Sequence, residues 1–341
     1  MEMLLSVLVP IYGVEKYIER CATSLFEQTL QDHIEFIFVN DCTKDNSVVK
    51  LLNLLKKYPH RISQVKLLEH SRNRGLAASR QTALNHATGD YVLTVDSDDW
   101  LELDACEELL NSVRETKCDI LMFDYIADYK RKHIYCKQNV ASNGIDCLKL
   151  LLAGKMHGGT CTKLIKKSLY LENRINYIEG LNMFEDISVV YRLFFCAQSV
   201  GYRKRAFYHY YQGNQNSYCT RLSITSQENM LQTIDMMDCY FRENNVSYEV
   251  WKYFDCFKVR VFILLIVASE LSEDYKRYGT LLRKNLKGMS MPLSLRDRWV
   301  CILIKYMPWR FTYLIIRFLN NLKKIKLQYI TCKMKAKYDI I

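Results

Sequence analysis

Tyr91-Val92-Leu93-Thr94-Val95-Asp96-Ser97-Asp98-Asp99 is an apolar run that ends in three carboxylates within four residues. The first five residues, rich in β-branched and aromatic side chains, read as a buried strand. Alternate carboxylates at its end can aim at one point, where unpaired charges would repel and be costly to desolvate. A hard divalent cation resolves that conflict, and Mg²⁺ or Mn²⁺ is commonly held by one or two carboxylates plus substrate phosphate oxygens. A solvated turn leading into the next helix would give the same local sequence, so position has to decide.

Working outward, the same unit recurs. Leu4–Pro10, Ile34–Asn40 and Val65–Glu69 read as further strands. Helical spacing follows over Val14–Gln28 (Ile18, Cys21 and Leu25 on one face), from a Ser47 cap to Lys57, over Leu76–Ala87 and over Asp104–Glu115. Ile120–Ile126 is a fifth strand. Strand–helix alternation with near-continuous apolar strands predicts an α/β fold, a mainly parallel sheet flanked by helices. Ligands of such sheets sit at the carboxyl ends of the strands. Tyr12, Asp41, the His70–Arg80 segment and Asp96–Asp99 all fall there, which favours a binding role for the acidic run.

Residues 145–220 mix helices with short strands, and from about residue 222 the pattern is helical throughout. The expected division is a catalytic domain over 1–220 and a helical C-terminal region over 221–341. Val259–Leu271 is too short to span a bilayer and reads as a buried helix. The N-terminal apolar run stops at Pro10, too short for a secretory h-region.

Composition narrows the class. The 341 residues contain 12 Gly and 4 Pro, too few for long disordered or low-complexity stretches. No two of the 13 Cys lie within four residues of each other, so there is no CxxC clip, and reduced thiols in a cytoplasmic protein are expected. The net charge of +11 is uneven: from Lys276 onward sixteen Lys and Arg face only Asp297 and Asp339, leaving −3 for residues 1–275. That distribution excludes nucleic acid as a partner of the whole protein. GxGxxG, GxxxxGK[ST] and HExxH are all missing.

Four motifs in order then carry a specific resemblance: Ser6-Val7-Leu8-Val9-Pro10-Ile11-Tyr12, Phe38-Val39-Asn40-Asp41, Asn73-Arg74-Gly75-Leu76-Ala77-Ala78-Ser79-Arg80 and Asp96-Ser97-Asp98-Asp99. Their order and spacing resemble the family 2 glycosyltransferases of GT-A (Rossmann-like) fold over residues 4–125. A weaker likeness continues to residue 220 through Met183-Phe184-Glu185-Asp186 and Phe207-Tyr208-His209-Tyr210 with Asn216-Ser217. The resemblance implies inverting transfer of a sugar from a nucleotide diphosphate, UDP above others, to an acceptor hydroxyl. It places Pro10 and Tyr12 at the nucleoside, Asp41 at the base and Arg80 near ribose or phosphates. Asp96, Ser97 and Lys163 join the donor site, and Asp98, Asp96 and His209 hold Mg²⁺ or Mn²⁺. Asp186 becomes the general base. Departures from the family pattern are Gly13 for Asn, Cys42-Thr43 for Gly-Ser, and Cys161 for an aromatic residue.

Charge grows on the leaving diphosphate, which a cation stabilises, and the incoming hydroxyl must lose a proton to a placed carboxylate. Glu185-Asp186 alone would also suit a helix N-terminus, and His209 a packed strand. A nucleotidyltransferase, or an inactive nucleotide-sugar-binding protein, is the alternative. The former usually carries a Gly-rich basic loop after the first strand, absent here, and the latter requires a lost metal or base residue.

In the tail Phe311, Leu314, Ile315, Phe318, Leu322 and Ile325 share one helical face, and Arg310, Arg317, Asn321 and Lys324 another, after Trp299 and Trp309. Residues 299–337 therefore suit peripheral contact with an anionic membrane, such as the inner face of the cytoplasmic membrane, or packing on the catalytic domain. By resemblance the acceptor is a saccharide or lipid-linked saccharide of cell-surface polymers.

Overall fold

The structure, a computed structural model, describes residues 4–214, 222–268, 272–286 and 295–307, together with 311, 314 and 315. Residues 1–243 form one compact unit and 244–341 a second.

In the first unit β1 (Leu5–Ile11), α1 (Ile18–Phe26), β2 (Ile34–Asn40), α2 (Ser47–Leu55), β3 (Val65–Glu69), α3 (Leu76–His86) and β4 (Tyr91–Thr94) alternate as the pattern predicts. Every residue of β1, β2 and β4 is buried, the mark of strands covered on both faces. β2 and β4 flank β1, β3 adds to β2, and all three pairings are parallel. Ile18, Cys21 and Leu25 of α1 are buried as their spacing requires. Ser47 does not cap α2: its hydroxyl donates to Asp45 and accepts the Val14 N–H, tying the helix start to the loop after β1.

The rest of the sheet is mixed. β5 (Trp100–Leu101), α4 (Ala105–Thr116), β6 (Ile120–Tyr129), β7 (Lys132–Cys136), α5 (Gly144–Leu152), β8 (Lys163–Lys166), α6 (Lys167–Glu172), α7 (Glu185–Cys196) and β9 (Val200–Tyr211) complete it. The strand order is β3-β2-β1-β4-β8-β6-β9-β5, with β7 on the far part of β6. β8 runs antiparallel between β4 and β6, while β9 is parallel to β6. α8 (Ile224–Glu243) belongs to this compact unit, which runs to Glu243. The reason is aromatic packing: Tyr191 of α7 meets Tyr240 and Phe241 of α8 edge-on.

The second unit contains α9 (Tyr248–Ala268), α10 (Ser272–Asn285) and α11 (Leu295–Tyr306). Phe254, Val259, Phe262 and Leu265 of α9 are buried, and among the described residues no helix is long and apolar enough to cross a membrane. Asn216-Ser217 and most of the tail beyond Met307 lie outside the described residues.

Candidate active site

A cavity of about 430 Å³ opens at the carboxyl ends of β1, β2 and β4, within the usual size of ligand pockets. Pro10, Tyr12, Asp41, Arg80, Asp96, Ser97, Asp98 and Asp186 all line it. The sequence therefore brings eight of its ten candidate residues to one place; Lys163 and His209 are not among the lining residues.

The rim is built from strand ends. Tyr12, just beyond β1, is half exposed. Asp41, just beyond β2, is buried and already holds three donors: the backbone N–H groups of Arg74 and Gly75 and the His70 Nδ1, all within 2.8 Å. It thus fixes the turn into α3. Gly75 has φ +88°, and a Cβ there would lie 2.4 Å from the Asn182 amide, which caps the Ala77 N–H. Both facts demand glycine. Cys42, where the resemblance leads one to expect glycine, also sits at positive φ (+56°).

The acidic turn after β4 is laced to β9. The Tyr208 hydroxyl accepts the Asp96 N–H and donates to Asp99, which also accepts the Tyr211 N–H. Asp99 is therefore turned to the protein interior, while Asp96 and Asp98 line the cavity. Arg20 donates to the Asp98 carbonyl at 2.7 Å, its guanidinium 3.7 Å from the Trp100 ring and 4.6 Å from Tyr211. Asp98 accepts from the Asn214 amide. Burial, then the Asp96 charge, push the Asp98 carboxyl up; burial with the Asp98 and Asp96 charges pushes Asp99 up further. Burial and the crowding of like charges thus favour the protonated form of both carboxyls.

Arg80 departs from its expected place at ribose or phosphate. It is 2% exposed, and its two η nitrogens are taken by protein: Nη2 by Asp96 (2.6 Å), Nη1 by Asp186 (2.7 Å) and Glu185 (2.8 Å). Nε has no partner. Three carboxylates outbid a ligand for this cation because a buried guanidinium needs fixed counter-charges. Burial, then the Asp186 charge, push Glu185 up to about 8.

Glu185-Asp186 open α7 directly after Phe184, held at φ +65° in a conformation that bulky residues avoid. Asp186 Oδ1 accepts from Arg80 and from the Thr160 hydroxyl. Its Oδ2 is left uncommitted among the described residues.

Two expected roles fail for geometric reasons. Lys163 is fully buried and donates to the carbonyls of His157 and Gly159 and to Thr162, so it holds the loop before β8 instead of reaching phosphates. Burial pulls its ammonium down to about 8. His209 follows Tyr208 on β9 and takes the opposite face, as strand alternation requires. It stacks on Trp100 at 4.8 Å, and both ring nitrogens are bonded, to Asp128 and Glu102. It is not placed to bind a metal at the cavity.

Sequence reading missed His157, Asn182, Tyr210 and Asn214 in the lining and Arg20 behind it. His157 had a local signal in the following Gly158-Gly159, and Tyr210 stood without a role in the quoted Phe207-Tyr208-His209-Tyr210 run. The others reach the site through long-range packing.

The sequence pattern described as Glycosyl transferase family 2 matches residues 6–171. EpsH of Bacillus subtilis is 31% identical over 261 residues, 74% of this chain and 74% of EpsH. Residues 1–349 of S. aureus TarS, solved in complex with UDP-GlcNAc, superpose with TM-score 0.69 at 19% identity, covering 92% of this chain and 89% of that one. The mannosyltransferase PcManGT from Pyrobaculum calidifontis, solved with GDP-Man and Mn²⁺, gives TM-score 0.54 at 15% identity over 94% and 88% of the two chains.

Proposed function

The chain belongs to glycosyl transferase family 2 and is a glycosyltransferase, and from that premise we propose that it inverts a sugar as it moves it from UDP to a saccharide hydroxyl. The observation that carries this reading is Arg80: one buried guanidinium holds Asp96 of the donor rim and Asp186 of the opposite wall across a single cavity. The donor's anomeric carbon lies between them. The acceptor oxygen attacks from the Asp186 side and gives its proton to Oδ2 as its bond to carbon forms. The bond to the diphosphate breaks on the opposite side, and the electron pair leaves with UDP. Proton acceptance by a placed carboxylate contributes about 10²–10⁴-fold. Pro10 and Tyr12 flank the nucleoside, with Asp41 at the base end and Ser97 beside the ribose.

Asp98 and Asp96 suit a divalent cation. Asp98 is crowded by carboxylates, with the uncharged Asn214 amide as its described side-chain partner. Among the described residues no group of three or more His, Cys, Asp or Glu is gathered for a metal; Mg²⁺ and Mn²⁺ fit such a site because they use few protein carboxylates and take phosphate oxygens and water. When bound, the ion offsets charge on the departing diphosphate. TarS with UDP-GlcNAc and PcManGT with Mn²⁺ support donor class and cation.

The domain division is read as sugar transfer in the sheet unit and surface attachment in the helical one. Trp299, Ile302 and Tyr306 are exposed at i, i+3 and i+7 along α11, and Phe311 and Leu314 are exposed beyond it. With the tail's net +14 this suits an anionic lipid surface, useful for a lipid-linked acceptor. The full chain then pellets with phosphatidylglycerol vesicles and is released by high salt; indifference to lipid charge would remove the attachment.

The catalytic reading is tested with Mn²⁺ and a panel of UDP-sugars. UDP release by the wild type and its loss in Asp98→Ala and Asp186→Asn are expected. Release of the sugar 1-phosphate would instead mark a nucleotidyltransferase, and no release of either would mark a binding protein.

A further inference from the structure

His157 has no part in the scheme above, yet it lines the cavity. The loop that carries it is built around the imidazole. Gly159 donates its N–H to His157 Nδ1 at 3.1 Å, and a Cβ on Gly159 would come within 2.7 Å of the ring's Cε1. A Cβ on Gly158 would strike Ile187 of α7 at 2.4 Å. The two glycines thus let the ring fold back over its own loop and the loop close on the Ile187 side chain of α7. The His157 N–H is bonded to Gln138, and its carbonyl to the buried Lys163 ammonium. The ring is packed against Tyr125 and Tyr210, with centroids 4.9 and 5.7 Å away. One residue past Gly159, Thr160 donates to Asp186.

This geometry settles the tautomer. An Nδ1 that accepts a backbone N–H cannot carry a proton, so the neutral ring bears its proton on Nε2. Among the described residues Nε2 has no partner. Burial and the nearby Lys163 pull the imidazole down to about 4, with the Asp186 charge opposing. The ring is neutral across the physiological range.

We propose that His157 is a specificity-determining residue, a neutral donor with a fixed tautomer whose Nε2–H reads a hydroxyl of one of the two sugars that meet at Asp186. The inference rests on the sugar-transfer reading and deepens it. A neutral donor suits this place: a cation would compete with Arg80 for Asp186, whereas N–H donation selects an oxygen without changing the charge around the base. A site built to hydrogen-bond a sugar hydroxyl also rejects the analogue lacking it.

The test has two parts. In the full-length protein labelled with ¹⁵N-histidine, the signal absent from His157→Phe identifies the ring. An Nε2–H tautomer that does not titrate between pH 5 and 8 is expected; a ring that protonates near pH 6.5 overturns the inference, whether or not any donor is turned over. The second part uses UDP-glucose and UDP-N-acetylglucosamine with Mn²⁺. His157→Phe, which keeps the ring packing, should bind UDP like the wild type and lose about 10–100-fold in kcat/KM, and His157→Gln, which restores an N–H, should recover much of it. Loss of donor hydrolysis assigns the hydroxyl to the transferred sugar. Unchanged hydrolysis with impaired transfer to added saccharide assigns it to the acceptor. Wild-type turnover by His157→Phe in both reactions, or a Gln variant no better than Phe, overturns it. Absence of wild-type turnover with every UDP-sugar counts against the sugar-transfer reading alone.

Discussion

The two sides of the cavity are made differently. On the donor rim, Tyr12, Asp41 and Asp96–Asp98 each follow the end of a parallel strand, so the backbone delivers them and packing only trims their orientation. On the opposite wall, Asp186 starts a helix, His157 rides a glycine loop and Tyr210 comes from a strand of the mixed half. No common backbone rule delivers these groups; they are held by Thr160, Gly159 and Lys163 and by one residue of the rim itself, Arg80. The difference teaches that the rim is a property of the fold and the wall a property of this chain's side chains. Substitutions on the wall should change chemistry and specificity, whereas those at the junction should cost the fold.

The sharpest way to break the comparison is Asp186→Asn. It keeps the Oδ1 contacts possible but removes the proton acceptor, so transfer falls by about 10²–10⁴-fold while thermal unfolding is near wild type. Full activity would return Glu185-Asp186 to a helix N-terminus and no more. Arg80→Met, at the junction, leaves Asp96, Glu185 and Asp186 without their cation. A loss of about 3–5 kcal/mol in chemical denaturation is expected. The sign with pH is fixed: a carboxyl with a raised folded pKa stabilises below its unfolded value and loses that contribution as pH rises through the folded one. Glu185 is already pushed up to about 8, so the variant should be weaker at pH 8 than at pH 5.

Gly75→Ala probes the rim. The positive φ and the Asn182 amide both resist a Cβ, which predicts about 1–3 kcal/mol of destabilisation and a raised KM for the donor. His157 supplies an effect that is seen only as a change with pH. Its folded pKa of about 4 lies below the ordinary imidazole value, so between pH 4 and 6.5 the unfolded chain binds more protons and stability rises with pH. Relative to His157→Phe, the wild type should lose about 2 kcal/mol between pH 8 and pH 5; parallel profiles would place the ring in solvent.

How much could be read in advance follows the same line. β1, β2 and β4 are continuous apolar runs, and the acids that follow them needed only strand ends to be found. The mixed half was less legible. β8 inserts antiparallel between β4 and β6, a choice made by tertiary pairing rather than by its four residues. Arg80 was readable as a cation near the site but not as a buried one, because its partners Glu185 and Asp186 are 105 and 106 residues away. His209 misled through its motif: one position along β9 separates Tyr208, which holds the acidic turn, from a histidine on the opposite face. Lys163 did so by proximity, its ammonium being consumed by the loop that shapes the wall. The family resemblance supplied Asp186, and the fold brings it into the cavity lining at the start of α7.

The most direct trial of the account is a crystal structure of the chain with UDP and Mn²⁺. Uracil is expected beside Tyr12 and Asp41, the ion at Asp98 and Asp96, and Asp186 Oδ2 facing the open end of the diphosphate. UDP bound away from β1, β2 and β4, with Asp96 and Asp98 touching neither ion nor phosphate, would contradict it.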